Sequence, residues 1–207
     1  MLDTYLRWTD KLQKFILRFV GVLIVLLVFL TVEQVFARYF WDASSVALQE
    51  LEWHLFAGII LLGAAPTLAA GDHVRVDIVH GRLSESKQIC IDLFGYLFFA
   101  LPTLVVLFWV GYEYTLQSLD YQNIRPPDHF TSAFLGQDSS LYEWSTRVES
   151  WLRKYIFMGE VSPDPGGLEG RWILKGLIPC SAVLLLLQSI AQILKALTRL
   201  KHLSTSN

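Results

Sequence analysis

The chain has 207 residues, of which 53% are hydrophobic and 17% are charged, with a formal net charge of -2 at pH 7. Soluble domains carry about a quarter charged residues, so this composition is typical of a membrane protein. The near-neutral charge and the lack of a long basic run argue against nucleic-acid binding.

The first predicted element is a membrane span at about residues 17–40, close to the roughly 20 helical residues that cross a bilayer. Its apolar run extends from Phe19 to Val32, where Glu33 interrupts it before "QVFA" continues to Arg38. A cleaved signal peptide is the alternative, but the apolar region is too long and no small-x-small site follows it. We therefore interpret the segment as a signal anchor that stays in the membrane.

The second predicted span covers about residues 51–71 and has a flank of small residues, including Ala65-x-x-x-Ala69. Such a flank suits close packing between helices. Pro66 lies inside the span and would free the carbonyl of Leu62. We expect this helix to pack inside the protein.

The stretch "GDHVRVDIVHGRL" follows the second span and holds three residues that could bind a metal, His73, Asp77 and His80. On a helix these three side chains could share a face. Glycines interrupt the segment and no fourth ligand is evident, so we favour a polar turn in which Arg75 meets lipid phosphates.

A third span is predicted at about residues 89–114, and a long loop, residues 115–175, separates it from a fourth span at about 174–197. Within the loop, apolar residues recur at three- and four-residue intervals over about residues 140–158, which predicts an amphipathic helix with two Trp on one face. We interpret it as a helix in the outer membrane interface, where Trp is enriched. A docking face for a partner protein is the alternative.

Lysine and arginine are concentrated in the N-terminal tail, the loop after the second span and the C-terminal tail. The positive-inside rule then places both termini in the cytoplasm and the long loop outside. The predicted fold is a single all-α integral membrane domain, residues 1–207, with four transmembrane helices.

Charged residues near the spans are candidates for function. Glu33 is the charge nearest the bilayer interior and is either functional or close enough to the outer surface to reach water. Arg38, five positions on, lies on a different helical face and makes a poor partner for it. Glu50 and Glu52 precede the second span, where the helix dipole favours negative charge, and they could also meet a partner.

The sequence carries no pattern for a catalytic site or a cofactor. Haem would need facing histidines inside the spans, and only His54 approaches one. No Ser-His-Asp order, G-x-S-x-G, phosphate loop or H-E-x-x-H appears. We therefore predict a protein that is not an enzyme and has no cofactor.

Four segments carry a family resemblance, in chain order "ARYFW" at 37–41, "LQELEWHLF" at 48–56, "LLGAAPTLAAGDHVRVDIV" at 61–79 and "RWILKGLIP" at 171–179. The most specific piece, His73 to Asp77, is similar to the family pattern H-[IV]-x-V-D. In this order and spacing the segments resemble the small membrane subunit (Q-type, DctQ-like) of tripartite ATP-independent periplasmic (TRAP) transporters.

The resemblance implies a non-catalytic subunit in the bacterial inner membrane, partnered by a large polytopic subunit and, transiently, by a periplasmic solute-binding protein. In such systems the large subunit carries the solute inward with sodium, and the small subunit scaffolds it and helps dock the binding protein. The candidate partner-interface or structural residues are Glu33, Arg38, Glu50, Glu52, His73, Arg75, Asp77, Arg171 and Trp172. The alternative function is a metal-binding or regulatory membrane protein using His73, Asp77 and His80.

Overall fold

The structure, a computed structural model, describes residues 2–71, 83–121 and 140–205. All regular elements in these three ranges are helical. They are α1 (Leu2–Trp41), α2 (Val46–Ala70), α3 (Glu85–Phe94), a π-helical segment (Gly95–Ala100), α4 (Leu101–Asp120), α5 (Ser140–Tyr155) and α6 (Trp172–Thr205).

Within the described ranges, four helical stretches are long and apolar enough to cross a membrane: α1, α2, the continuous helix Glu85–Asp120 and the Trp172–Lys201 part of α6. The predicted all-helical fold with four spans is thereby confirmed. The helices continue past the apolar runs, and α1 begins at Leu2 because its polar first turns contain no Gly or Pro to break it. The orientation of the termini stays a prediction.

The helices pack in the order α1, α2, α6, α4, with α2 and α6 in the middle. At Gly58 of α2, a Cβ atom would lie 3.5 Å from the side chain of Leu177 in α6 and 3.8 Å from that of Leu23 in α1. Gly58 and Ala65 are both buried, in line with the small-residue flank predicted for this helix. Small side chains therefore let α2 approach both of its neighbours.

The α4–α6 contact is closer still. At Gly111 a Cβ atom would lie 2.8 Å from Ile178 Cγ2 and 3.1 Å from Pro179 Cδ. Backbone and side chain thus meet directly at this crossing, and glycine is required because any side chain would push the two helices apart.

Side-chain hydrogen bonds to backbone carbonyls join α2 and α6. Ser181 Oγ donates to the carbonyl of Leu61 over 2.6 Å, and Gln192 Nε2 donates to that of Leu68 over 3.0 Å. These bonds place polar groups of α6 against the helix that contains Pro66. They satisfy side chains that would otherwise be costly to bury in an apolar surrounding.

The outward faces of α1 and α4 are apolar and exposed. Large side chains that are more than half exposed on these faces include Val25, Val28, Phe29, Phe36, Val105, Val106, Trp109 and Val110. A soluble monomer rarely exposes so continuous an apolar surface. In a membrane protein this surface contacts lipid or another subunit.

Helix α5 ends earlier than the sequence pattern predicts, at Tyr155 instead of about residue 158. The amides of Ile156 and Phe157 both donate to the carbonyl of Leu152, over 2.7 and 2.8 Å, which closes the last turn. The chain then turns away at Gly159, whose φ is 81°.

Candidate functional site

Residues 156–171 connect α5 to α6, and we call this segment the capping loop. It lies at the end of the bundle where α1 ends and α2 begins, which we call the loop end. Two carboxylates attach the capping loop there, one contributed by α2 and one by the loop itself. These attachments form the candidate site.

The first attachment is Glu50, in the first turns of α2. Its Oε2 accepts a hydrogen bond of 2.6 Å from the backbone N–H of Leu168, and its Oε1 accepts one from the hydroxyl of Ser162. Ser162 is fully buried. Hydrogen bonds to an ionised acceptor are stronger than neutral ones, so Glu50 holds the middle of the capping loop against the start of α2.

The capping loop is also closed on itself around Ser162. The Ser162 N–H donates to the Leu168 carbonyl over 2.9 Å, and the Asp164 N–H donates to Ser162 Oγ over 3.2 Å. At Gly167 a Cβ atom would lie 2.8 Å from Glu50 Oε2. Glycine at this position therefore lets the loop backbone approach the carboxylate.

The second attachment is Glu160, which joins the ends of two spans. Its Oε2 accepts a 2.9 Å hydrogen bond from the hydroxyl of Ser118, near the end of α4, and one from the ammonium of Lys175 in α6. Arg171 Nη1 lies 4.0 Å from Glu160 Oε1. Two backbone hydrogen bonds reinforce this attachment. The Glu160 N–H donates to the Ser118 carbonyl over 2.8 Å, and the Arg171 N–H donates to the Glu160 carbonyl over 3.0 Å.

Lys175 links this cluster to an aromatic ring. Its Nζ lies 4.0 Å from the ring centroid of Tyr114 in α4, within the range of a cation–π contact. The side chain of Lys175 is 14% exposed. A largely buried ammonium needs compensating charge, and Glu160 supplies it.

The charges around Glu160 shift its acidity. Burial by itself would raise the pKa of Glu160, but the hydrogen bonds from Lys175 and Ser118 and the positive charges of Lys175 and Arg171 outweigh it, so the pKa is lowered. The carboxylate is therefore ionised in the folded protein at neutral pH.

This shift predicts a pH dependence. Because the folded pKa of Glu160 lies below the unfolded value of about 4.3, its contribution to stability is complete above that pH and is lost as the pH falls through the folded value. We expect the difference in melting temperature between the wild type and Glu160→Gln to be constant near neutrality and to shrink below about pH 4. Thermal unfolding of the two solubilised proteins at a series of pH values measures this difference. A difference in melting temperature that stays unchanged down to about pH 3 would contradict the prediction.

Comparison with known proteins identifies the family. Residues 24–135 match the family described as "Tripartite ATP-independent periplasmic transporters, DctQ component", over more than half of the chain. The chain belongs to the DctQ family. The resemblance read from the sequence is thus confirmed, and this DctQ protein is a multi-pass small permease subunit of a TRAP transporter. No curated protein sequence matches the chain.

Three of the candidate residues of this DctQ chain meet at the capping loop. Glu50 binds its middle, Arg171 lies beside Glu160, and Trp172 Nε1 donates to the Ile156 carbonyl over 2.8 Å. Each of the three has contacts within the chain that account for its position. Any contact they make with a partner subunit stays a prediction.

The other candidate residues of the DctQ chain lie elsewhere. Glu33 and Arg38 are exposed near the end of α1, where Gln34 Nε2 donates to Glu33 over 3.0 Å. Glu52 has a buried Oε1 without a hydrogen-bond partner among the described residues, so it differs from Glu50.

The metal-binding alternative rests on the segment that follows α2 in the sequence. Its residues His73, Asp77 and His80, together with Arg75, lie outside the described residues. Among the residues that are described, no group of three His, Cys, Asp or Glu side chains is placed to hold a metal. Membership of the DctQ family favours the transporter function instead.

Sequence reasoning missed the residues that complete the site, Ser118, Glu160, Ser162 and Lys175. It treated all four only as parts of the long loop, residues 115–175. The available signal was the cluster of four glycines, at 159, 166, 167 and 170, in the segment that also holds Glu160 and Ser162 immediately before a span. That pattern indicates a tight loop, but it does not reveal the distant partners on α2 and α4.

Proposed function

We propose that this chain is the non-catalytic small permease subunit of a sodium-coupled TRAP-type importer in the bacterial inner membrane, with both termini in the cytoplasm. It scaffolds the large membrane subunit and helps dock the periplasmic solute-binding protein. The observation that carries the docking role is the capping loop, which Glu50 and Glu160 hold at the loop end of the bundle.

The scaffold role is supported by the sides of the bundle. The outward faces of α1 and α4 leave large apolar side chains exposed, a surface that a second membrane subunit can cover. A transporter that works alone usually contains paired broken helices with polar groups at the membrane centre. Here α2 and α6 continue as helices through Pro66 and Pro179. This continuity favours a static partner over a moving carrier.

The docking role is supported by how firmly the capping loop is attached. A surface that is ordered before binding loses less conformational entropy when a partner arrives. Three groups on three helices fix this loop: Glu50 of α2, Ser118 of α4 and Lys175 of α6. In the proposed orientation the loop faces the periplasm, where the solute-binding protein resides.

Affinity purification of the tagged chain, expressed with the proteins encoded beside it, tests the proposal. We expect a larger polytopic protein to co-purify, and we expect sodium-dependent uptake in vesicles only when both membrane proteins and the solute-binding protein are present. Vesicles that contain this chain alone serve as the control. Solute uptake by those vesicles, or a chain that purifies without any membrane partner, would contradict the proposal.

A further inference from the structure

Helix α5 presents an aromatic stripe that the described residues leave exposed. Trp144, Trp151 and Tyr155 are 67%, 55% and 55% exposed. With 3.6 residues per turn, these three and Val148 lie within about 60° of one another around the helix. We call these four residues the stripe. Trp151 and Tyr155 also contact each other, with ring centroids 5.5 Å apart.

The C-terminal end of α5 is fixed to the start of the membrane-spanning helix α6. The indole N–H of Trp172, the first residue of α6, donates to the carbonyl of Ile156 directly after α5. Backbone contact strengthens this junction, since a Cβ atom at Gly170 would lie 3.1 Å from Phe157 Cα. The Tyr155 end of the stripe therefore lies close to the start of α6.

Two basic side chains flank the stripe. Arg147 and Lys154 are both exposed and lie about 60–80° from Trp144 around the helix. Lys154 Nζ lies 5.4 Å from the ring centroid of Tyr155. Long basic side chains beside an apolar face can lay their methylene stems along it while the cations reach lipid phosphates.

We propose that α5 is an interfacial helix whose stripe binds the phospholipid bilayer at the loop end, with Arg147 and Lys154 on lipid phosphates. Aromatic rings with polar edges suit the headgroup level, and flanking cations suit an anionic surface. The helix anchors one end of the capping loop to the membrane, while Glu50 anchors its middle to α2. This inference needs no partner subunit and so goes beyond the proposed function.

Spin labels on the full chain, reconstituted alone in phosphatidylethanolamine–phosphatidylglycerol vesicles, test the proposal. Cys90→Ala and Cys180→Ala first remove the two exposed free thiols. A label at Val148→Cys then reports on the stripe, and a label at Ser150→Cys on the opposite side of α5 is the matched control. We expect the ratio of collisions with oxygen to collisions with a water-soluble nickel complex to be several-fold higher at position 148 than at 150.

A second set of variants tests what holds the stripe in the bilayer. Trp144→Ser with Trp151→Ser is expected to lower the collision ratio at position 148 toward that of position 150. Equal collision ratios at positions 148 and 150 in the protein that keeps Trp144 and Trp151 would overturn the proposal. So would protection of position 148 that arises only after the large subunit or the solute-binding protein is added. Because the vesicles contain this chain alone, failure here is distinct from failure of the chain to assemble with a large subunit.

Discussion

Replacing Gly159 with alanine is expected to detach the capping loop from the end of α4. Gly159 has a φ of 81°, a left-handed conformation that costs an L side chain about 1–2 kcal/mol. The added methyl would also overlap the Ser118 carbonyl and lie 3.1 Å from Leu119 Cα, and such overpacking costs about 1–3 kcal/mol. The clash falls on the carbonyl that accepts the Glu160 N–H, so it breaks the backbone bond that sets the loop position.

Trypsin cleavage after Arg171 measures this detachment, because cleavage requires local opening of the loop. Gly166→Ala is the matched control: its φ is 75° but no atom lies within 4 Å of the added methyl, so it carries the backbone cost without the clash. We expect Gly159→Ala to be cleaved at least tenfold faster than Gly166→Ala, while cleavage after Lys154 in α5 stays unchanged. Equal rates for the two variants would show that packing against α4 does not hold the loop.

The fold was predictable because its signals are local. Hydrocarbon thickness sets the length of an apolar run, so each of the four spans can be read from about 20 consecutive residues. The periodicity around Trp144 and Trp151 predicts α5 in the same way, since both lie on one face of a helix. The position at which α5 ends was not predictable, because it depends on how the amides after Tyr155 turn back onto Leu152.

The site was only partly predictable because its bonds join distant parts of the chain. Glu50 and Glu52 look alike in the sequence, both acidic and both at the start of a span. In the structure Glu50 accepts two hydrogen bonds from a loop more than a hundred residues away, while Glu52 keeps a buried oxygen without a partner among the described residues. Such long-range pairing leaves no local pattern. The helix dipole explains why acidic side chains are tolerated at the start of α2, but not which of the two holds the loop.

Replacing Glu50 with alanine is expected to loosen the middle of the capping loop while the bundle stays folded. The change removes both acceptors and leaves the buried Ser162 hydroxyl and the Leu168 N–H without their partner. Hydrogen bonds to charged groups contribute about 1.5–3 kcal/mol each, and the lower value applies at this partly solvated site, so the loss is roughly 3 kcal/mol. At about 1.4 kcal/mol per factor of ten, local opening becomes roughly a hundredfold more frequent.

Amide hydrogen exchange at Ser162 reports this opening, because its N–H bonds to the Leu168 carbonyl and not to Glu50 itself. We expect exchange there to rise by roughly a hundredfold, and the Arg171 amide to respond less because the Glu160 attachment remains. Glu52→Ala is the control, since it removes an equal charge from the same helix turn without removing a described hydrogen bond of the loop. If the loop forms the docking surface, Glu50→Ala should also slow uptake at limiting solute-binding protein while the membrane subunits still co-purify. Unchanged Ser162 exchange in Glu50→Ala, or an equal rise in Glu52→Ala, would show that Glu50 is not the attachment that orders this surface.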